Sequence, residues 1–535
     1  MITSRHFVLV ACAIGTVASA AVATASWSVG WAIAFAVFAF LTLTGLRDLQ
    51  QTRHSVLRNY PILGHVRWIM EMVRPEFRQY FGEDDKDGVP FSRRKRSLVY
   101  ARAKGETSEG AFGTQEDVYQ EGHEFIGHTT RPAPLADPET FRIDIGGPDC
   151  TKPYSASILN ISAMSFGSLS GAAIQALNKG AATGGFAHDT GEGSISPHHR
   201  EHGGDLVWQI ASGYFGCRTE DGRFDPARFE RQAADPQVRM VEIKLSQGAK
   251  PGHGGILPAA KITPEIAETR GIPMGRDCVS PAAHSAFTTP LELVAFIAEL
   301  RRLSGGKPVG FKLCIGQPWE FMGIVKAMLA TGITPDFIVV DGSEGGTGAA
   351  PLEFSDHMGM PLREGLLFVH NTLVGAGLRD RIRIGAAGRI TSAFDIAATL
   401  ALGADWVNSA RGFMFALGCI QSLSCNTNRC PTGIATQDPR RAQALVVPDK
   451  GERVARFHSS TMHALAELIA AAGLRHPSEI KPQHLNRRVS KTDVRLFSQL
   501  HFFLKDGALL DQVHDHDFYE EAWRLADAET FELKA

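Results

Sequence analysis

From about residue 155 the chain alternates short apolar runs with amphipathic segments for some 270 residues, and this alternation restricts its fold more than any other feature. SILNISAMS (157–165) reads as a strand and LSGAAIQALNKGAAT (169–183) as a helix. MVEIKLS, VGFKLCI, DFIVVDGS, RIRIGAAG and DWVNSARG read as further strand ends, with helical stretches such as LELVAFIAELRRLS and FMGIVKAMLATG between them. Strands separated by amphipathic helices pair in parallel, because the crossover helix returns the chain to the same end of the sheet. An open doubly wound sheet and a (β/α)8 barrel both satisfy this pattern. Glycine-rich tails follow several different strands, which favours the barrel, whose βα loops build one site together.

The N-terminus differs in kind. Residues 7–46 contain no charged side chain, about twice the length that one membrane span needs. Ser26-Trp27-Ser28-Val29-Gly30 supplies a polar turn with an interfacial Trp, so two short membrane helices are expected, about 7–25 and 31–46. Arg5 precedes the first and Arg47, Arg53 and Arg58 follow the second, which places both ends and the main body of the chain on the cytoplasmic side of an inner membrane. A signal peptide cleaved near Ala18-Ser19-Ala20, followed by a single anchor, is the competing reading. The predicted organisation is this anchor (1–46), a membrane-proximal segment (47–140), a TIM barrel (141–445) and a C-terminal helical extension (446–535). The stretch 53–81 has apolar positions at helical spacing among basic residues, which suits a helix packed on the body or lying on a membrane surface. SRRKRS (92–97) reads as a solvated turn, and MHALAELIAAAGL and WRLADAETF in the tail read as helices. A net charge of −2 over 535 residues argues against nucleic-acid binding.

GAAGRIT (385–391) and NSARG (408–412) each follow an apolar strand and offer small residues, backbone N–H groups and an Arg, the kit with which late barrel loops hold a phosphate. A flavin mononucleotide tail would fit. DGSEGGTGAAP (341–351) makes Asp341 and Glu344 candidate polar contacts at a site mouth. Lys244, Lys250 and Lys312 sit at strand ends or in a Gly-rich loop, where a buried ammonium needs a partner. Of eight cysteines, Cys419, Cys425 and Cys430 crowd into CIQSLSCNTNRC. The C-x5-C-x4-C spacing is not a zinc pattern, and three thiolates with Pro431 after the last suit an iron–sulfur cluster. The other five show no disulfide spacing.

ISAMSFGSLSGAA, IKLSQGAKPG, GGTGAAP and ALGCIQSLSCNTNRCPTGIATQDP together resemble the flavin-binding central domain of glutamate synthases, over roughly residues 140–445. The resemblance implies a (β/α)8 barrel holding FMN, with a [3Fe-4S] cluster on Cys419, Cys425 and Cys430. It implies FMN contacts from Ala163, Met164, Ser165, Lys244, Gln247, Gly346, Gly348, Gly388, Arg389, Ser409, Arg411 and Gly412, and a substrate side formed by Lys250, Arg270, Glu344 and Lys312. The long family members also carry a glutaminase domain and a Gly-rich β-helix that nothing here matches, so ammonia is expected from solution or a separate subunit. Where they read GEGGQLPG this chain reads GHGGILPA, placing Ile256 at the glutamine that contacts 2-oxoglutarate; Glu344 replaces an Asp, and PAAHSA around His284 replaces PPPHHD.

The implied reaction condenses ammonia with 2-oxoglutarate to an imine and reduces it to L-glutamate. A ferredoxin or an NAD(P)H-linked reductase subunit is expected to supply electrons, since no G-x-G-x-x-G unit is visible. Two other readings stay open: an FMN barrel acting on a different oxo acid or imine, or as an isomerase, and a membrane-bound electron carrier.

Overall fold

A computed structural model describes residues 4–51, 54–106, 110–510 and 516–533; Arg53, one of the cations counted above, lies outside them. The chain forms two compact units, Met1–Arg93 and Arg94–Ala535.

In the first unit, α1 (Phe7–Ser26) and α2 (Val29–Gln50) are both long and apolar enough to cross a membrane. They pack against each other through small residues: a Cβ on Gly15 would lie 2.8 Å from the Phe38 ring and one on Gly45 2.6 Å from Leu9. The Thr16 and Thr42 hydroxyls meet at 3.0 Å. Such close approach is what holds helices together where no water drives them. The second helix runs past the expected end at 46, because Asp48 is drawn into the fold: it is 3 % exposed and accepts from Ile62 N at 2.9 Å and lies 2.9 Å from His65 Nε2. The stretch 53–81 is not one helix. It breaks between Ser55–Asn59 and His65–Phe77, where Pro61 lacks an N–H and Ile62 takes a φ of 67°.

The second unit is built on a closed parallel barrel: β1 (Leu159–Ile161), β2 (His188–Asp189), β3 (Leu206–Ile210), β4 (Val238–Lys244), β5 (Val309–Leu313), β6 (Phe337–Asp341), β7 (Arg383–Ala387) and β8 (Trp406–Ser409), each paired with the next and β8 with β1. Closure leaves no edge strand. Outside lie α3 (Gly171–Gly184), α4 (Pro226–Ala233), α5 (Pro290–Leu303), α6 (Pro318–Thr331), α7 (Leu362–Gly375), α8 (Ala393–Ala401) and α9 (Arg411–Leu417). Their starts are written locally. Ser170, Asp225, Thr289 and Ser392 accept from backbone N–H groups of the first turn, and Pro opens α4, α5 and α6.

An antiparallel hairpin, Arg142–Ile145 with Tyr154–Ser157, plugs the N-terminal end of the barrel, where Ile145, Tyr154 and Ala156 pack on Met240, Phe337, Val339 and Trp406. Trp406 needs Gly385 beside it, since a Cβ there would stand 2.4 Å from the indole. Toward the C-terminal ends the lining turns polar, with Asn160, Asp189, Gln209, Glu242, Lys312 and Asp341 all buried.

Of the expected tail helices, MHALAELIAAAGL falls largely within α10 (Val447–Ala471), laid so tightly on α3 that a Cβ at Gly180 would be 2.2 Å from Val454, whereas WRLADAETF is not a helix: α11 (Asp517–Leu525) ends three residues into it. Two further features depart from the sequence reading. Residues 92–97 are not a solvated turn; they begin the helix Arg93–Lys104, with Arg96 and Arg102 only 5 % and 6 % exposed. Long Arg stems bury well when the guanidinium finds oxygen, and Arg102 Nη1 donates to Thr461 Oγ1 at 3.2 Å. A three-stranded antiparallel sheet, Glu124–Ile126 with Leu485–Arg488 and Val494–Leu496, also ties the segment before the barrel to the tail.

Candidate functional site at the C-terminal mouth of the barrel

The βα loops converge above the polar layer. The loop after β1 carries Ala163 and Met164, half-buried, and Ser165, buried. Gly191, φ 64°, follows β2 and must be glycine, because a Cβ would stand 2.6 Å from Ser165 N. The loop after β4 is equally tight: a Cβ on Gly248 would be 1.9 Å from Gly342 O in the loop after β6. At these points backbone packs directly on backbone in the floor of the mouth.

Glu192 is the centre of that mouth. Its carboxylate accepts from Lys244 Nζ at 2.9 Å. Burial alone would raise its pKa, yet Lys244, Arg270 and Lys250 together hold it at about 2. Lys244 also reaches Gln247 Oε1 at 3.2 Å, and Gln247 Nε2 donates to Gly346 O at 2.9 Å, which joins the loops after β4 and β6. Lys250 Nζ donates to Ala349 O at 3.1 Å; burial lowers its pKa, partly offset by Glu192. Arg270, 3 % exposed, donates to Phe166 O at 2.9 Å and lies 5.1 Å over the Phe215 ring. It also lines a cavity of about 740 Å³ together with Ser194 and Arg218. Three of the named cations, Lys244, Lys250 and Arg270, thus meet around an acid that the sequence reading did not single out. The signal available was GEG (191–193), visible only as a glycine run.

The remaining named residues are distributed differently. Glu344 accepts from Leu362 N at 2.8 Å, so its carboxylate caps α7 rather than pointing at the Glu192 group. Lys312 lies below the mouth in the barrel interior, 3.7 Å from Asp341 Oδ2. Ser409 Oγ donates to Ile390 O at 2.6 Å and clamps the loop after β7 to β8. Asp395 takes the N–H groups of Thr391 and Ser392 at 3.0 and 3.1 Å, so the first amides of α8 serve its own capping box. Beside them stand Gly388, Arg389 in a left-handed conformation (φ 50°), Arg411 and Gly412. Arg411 Nη2 donates to Glu344 O at 2.6 Å, and burial followed by Arg389 lowers its pKa to about 10. A Cβ at Gly346 would stand 2.9 Å from Arg411 Nε, whereas nothing stands within 4 Å of a Cβ at Gly348. Ile256, half-exposed, follows Gly255, whose Cβ would be 2.4 Å from Glu192 Oε1. His284 sits behind the mouth, Nε2 2.9 Å from Lys244 O, with burial lowering its pKa to about 4.

The cysteine loop is stitched to the loop after β1. Gln437 Nε2 donates to Gly167 O and Leu169 O at 3.0 and 2.8 Å, and Ser170 Oγ to Gly433 O at 2.8 Å. Lys261 Nζ bridges Ser168 O and Cys425 O at 3.2 and 3.1 Å, and Tyr100 holds Cys419 O at 2.6 Å. The three thiols stand within electrostatic range of one another: burial, then Cys425 and Cys430, push Cys419 up to about 12. Cys425 is raised by burial and by Cys430. Among the described residues no three His, Cys, Asp or Glu side chains are drawn together closely enough to hold a metal ion. The donor set nonetheless suits thiolate ligation. Burial would raise Cys430, but hydrogen bonds from the Thr432 side chain and from Ala435, Thr432 and Ile434 backbone lower it.

Comparison with known proteins bears on what such a mouth serves. The chain is 36 % identical over 514 residues to the glutamate synthase large subunit-like protein YerD of Bacillus subtilis, covering 88 % of this chain and 97 % of that one. It is 36 % identical over 315 residues to the archaeal-type glutamate synthase [NADPH] of Thermotoga maritima, and spans about 58 % of that protein's length. A flavocytochrome b2 structure aligns with a TM-score of 0.41 at 13 % identity, covering 79 % of this chain and 88 % of that one. Residues 145–475 match the family model described as the conserved region in glutamate synthase, and the chain belongs to that family.

Proposed function

We propose that this protein is a glutamate synthase-type oxidoreductase that reduces the imine of 2-oxoglutarate and ammonia to L-glutamate, with FMN at the barrel mouth and electrons entering through the cysteine loop from a ferredoxin or an NAD(P)H-linked reductase subunit. The observation that carries it is the convergence of Lys244, Lys250 and Arg270 on Glu192 beside that loop, in a chain of this family.

The mouth suits a flavin phosphate. Burial and then Arg389 depress the pKa of Arg411, beside Gly388 and Gly412, and an anion there would offset both effects on Arg411. Ala163, Met164, Ser165, Gln247, Gly346 and Gly348 would form the walls. Cys419, Cys425 and Cys430 would hold a three-iron cluster, Cys430 being the thiol whose pKa its hydrogen bonds lower. When bound, the flavin supplies hydride and the cluster passes single electrons.

The chain's own residues do the rest. Arg270 and Lys250 clamp the two carboxylates of the oxo acid, Arg270 in fork geometry. Glu192 keeps Lys244 charged and oriented in the mouth. Lys250, its ammonium made more acidic by burial, would give a proton to the substrate nitrogen. Ile256, the residue after Gly255, whose backbone abuts Glu192, cannot hydrogen-bond through its side chain and favours a second reading in which the site takes a different oxo acid. The N-terminal pair α1 and α2 tethers the chain to the inner membrane with the barrel on the cytoplasmic side. The helix His65–Phe77, which leaves Ile69, Met70 and Met72 exposed, lies on the lipid surface.

The test is anaerobic. The reduced protein in detergent is mixed with ammonia, 2-oxoglutarate, or both; reoxidation of the flavin only with both supports the reading. Reoxidation by ammonia with another oxo acid but not with 2-oxoglutarate selects the second. No reoxidation by any pair refutes both.

A further inference from the structure

Below the mouth, the barrel interior holds ionisable side chains that the substrate reading leaves without a task. Asp189 on β2, Glu242 on β4, Lys312 on β5 and Asp341 on β6 are 2 %, 0 %, 4 % and 7 % exposed. Three carboxyls thus share one ammonium in a space from which water is excluded, and full ionisation would bury excess negative charge.

The hydrogen bonds show where that excess is relieved. Asp341 Oδ2 accepts from Gly248 N at 3.0 Å and faces Lys312 Nζ at 3.7 Å, so this acid is well placed as a carboxylate. Asp189 Oδ1 accepts from Gly191 N at 2.9 Å, and Glu242 Oε1 accepts from Gln209 Nε2 at 2.6 Å. Glu242 Oε2 is buried and receives no hydrogen bond from any N–H or hydroxyl donor. Asp189 and Glu242 line one small cavity, with Asn160 and Asn408 as its other polar walls. Their carboxyls lie within hydrogen-bonding reach of each other. Two carboxylates repel at that distance; an acid and a carboxylate bond.

We propose that Asp189 and Glu242 hold one proton between them at neutral pH and form an internal proton store for the mouth, reached through Lys312. A proton leaves Lys312 Nζ for an acceptor above, the Asp189–Glu242 pair returns one to Nζ, and bulk water later refills the pair; only O–H and N–H bonds change. The groups facing the pair are Gln209, Asn160 and Asn408, all neutral, and Lys312 and Asp341, which oppose each other in charge. Burial and then the neighbouring acid hold Asp189 well above the carboxylate range, and burial raises Glu242 too. Lys312 is raised, because Asp341, Glu242 and Asp189 outweigh its desolvation. The inference stands whichever oxo acid the site takes.

The test begins with infrared spectroscopy of the full chain in detergent at neutral pH. A protonated-carboxyl C=O band that shifts in D2O is expected from wild type and is expected to vanish in Asp189→Asn and in Glu242→Gln. Its absence from wild type, or its survival at full intensity in both variants, overturns the proposal. Two variants are used because one could misfold. The second readout is the pH dependence of the bound flavin's midpoint potential, which should flatten across neutrality in both variants. A vanished band with an unchanged pH slope would make the proton structural only, and would overturn the store.

Discussion

Glu192→Gln is the most informative single substitution, because the structure sets its size. Glutamine keeps the shape and removes the charge that Lys244, Arg270 and Lys250 surround. The carboxyl is held at about 2 against an ordinary 4.5, a gap worth about 3 kcal/mol of stability. With the side chain 19 % exposed, solvent screens little of this. The sign follows from the depressed pKa. The contribution is fully present above pH 4.5 and is lost as pH falls through about 2. Urea unfolding of the full chain in detergent, followed by far-ultraviolet circular dichroism, should therefore place the variant about 3 kcal/mol below wild type near neutrality, with the gap shrinking at about pH 3. A loss under about 1 kcal/mol, or one equally large at low pH, would show that the three cations do not depend on this carboxylate.

Other outcomes follow from the same geometry. Cys425→Ser should abolish reduction by a protein donor and spare FMN binding, measured by stopped-flow absorbance and flavin fluorescence; a normal rate removes the cysteine loop from the electron path. Gly248→Ala forces a Cβ to 1.9 Å from Gly342 O and should cost about 3 kcal/mol, whereas Gly348→Ala, with open space around it, should stay within about 0.5 kcal/mol in the same melts. Ile256→Gln, at a position 47 % exposed, should leave stability unchanged and lower the KM for 2-oxoglutarate about tenfold, the worth of one hydrogen bond to a charged group; an unchanged KM would place the substrate elsewhere.

Much of the barrel could be read locally. The runs after 238, 309, 337, 383 and 406 are strands because they are short and apolar, and two of the helices between them, α5 and α8, start at side chains that cap, Thr289 and Ser392. The strand at His188–Asp189 escaped because two residues carry no period, and Leu206–Ile210 because a fully buried run shows no alternation. The helix Arg93–Lys104 escaped for the opposite reason: its arginines suggest solvent, and only their partners on other segments, Thr461 among them, explain their burial.

The site divides along the same line. Linear order alone determined which segments would be strands, which would be helices, where backbone without side chains was needed, and that three cysteines would share a loop, because these depend on neighbours a few residues apart. The tertiary structure decided that Glu192 would gather Lys244, Lys250 and Arg270, that Glu344 would cap a helix, and that Asp189 would face Glu242. Charge interactions act through space and strengthen with desolvation, and both the separations and the burial exist only once β8 has closed on β1.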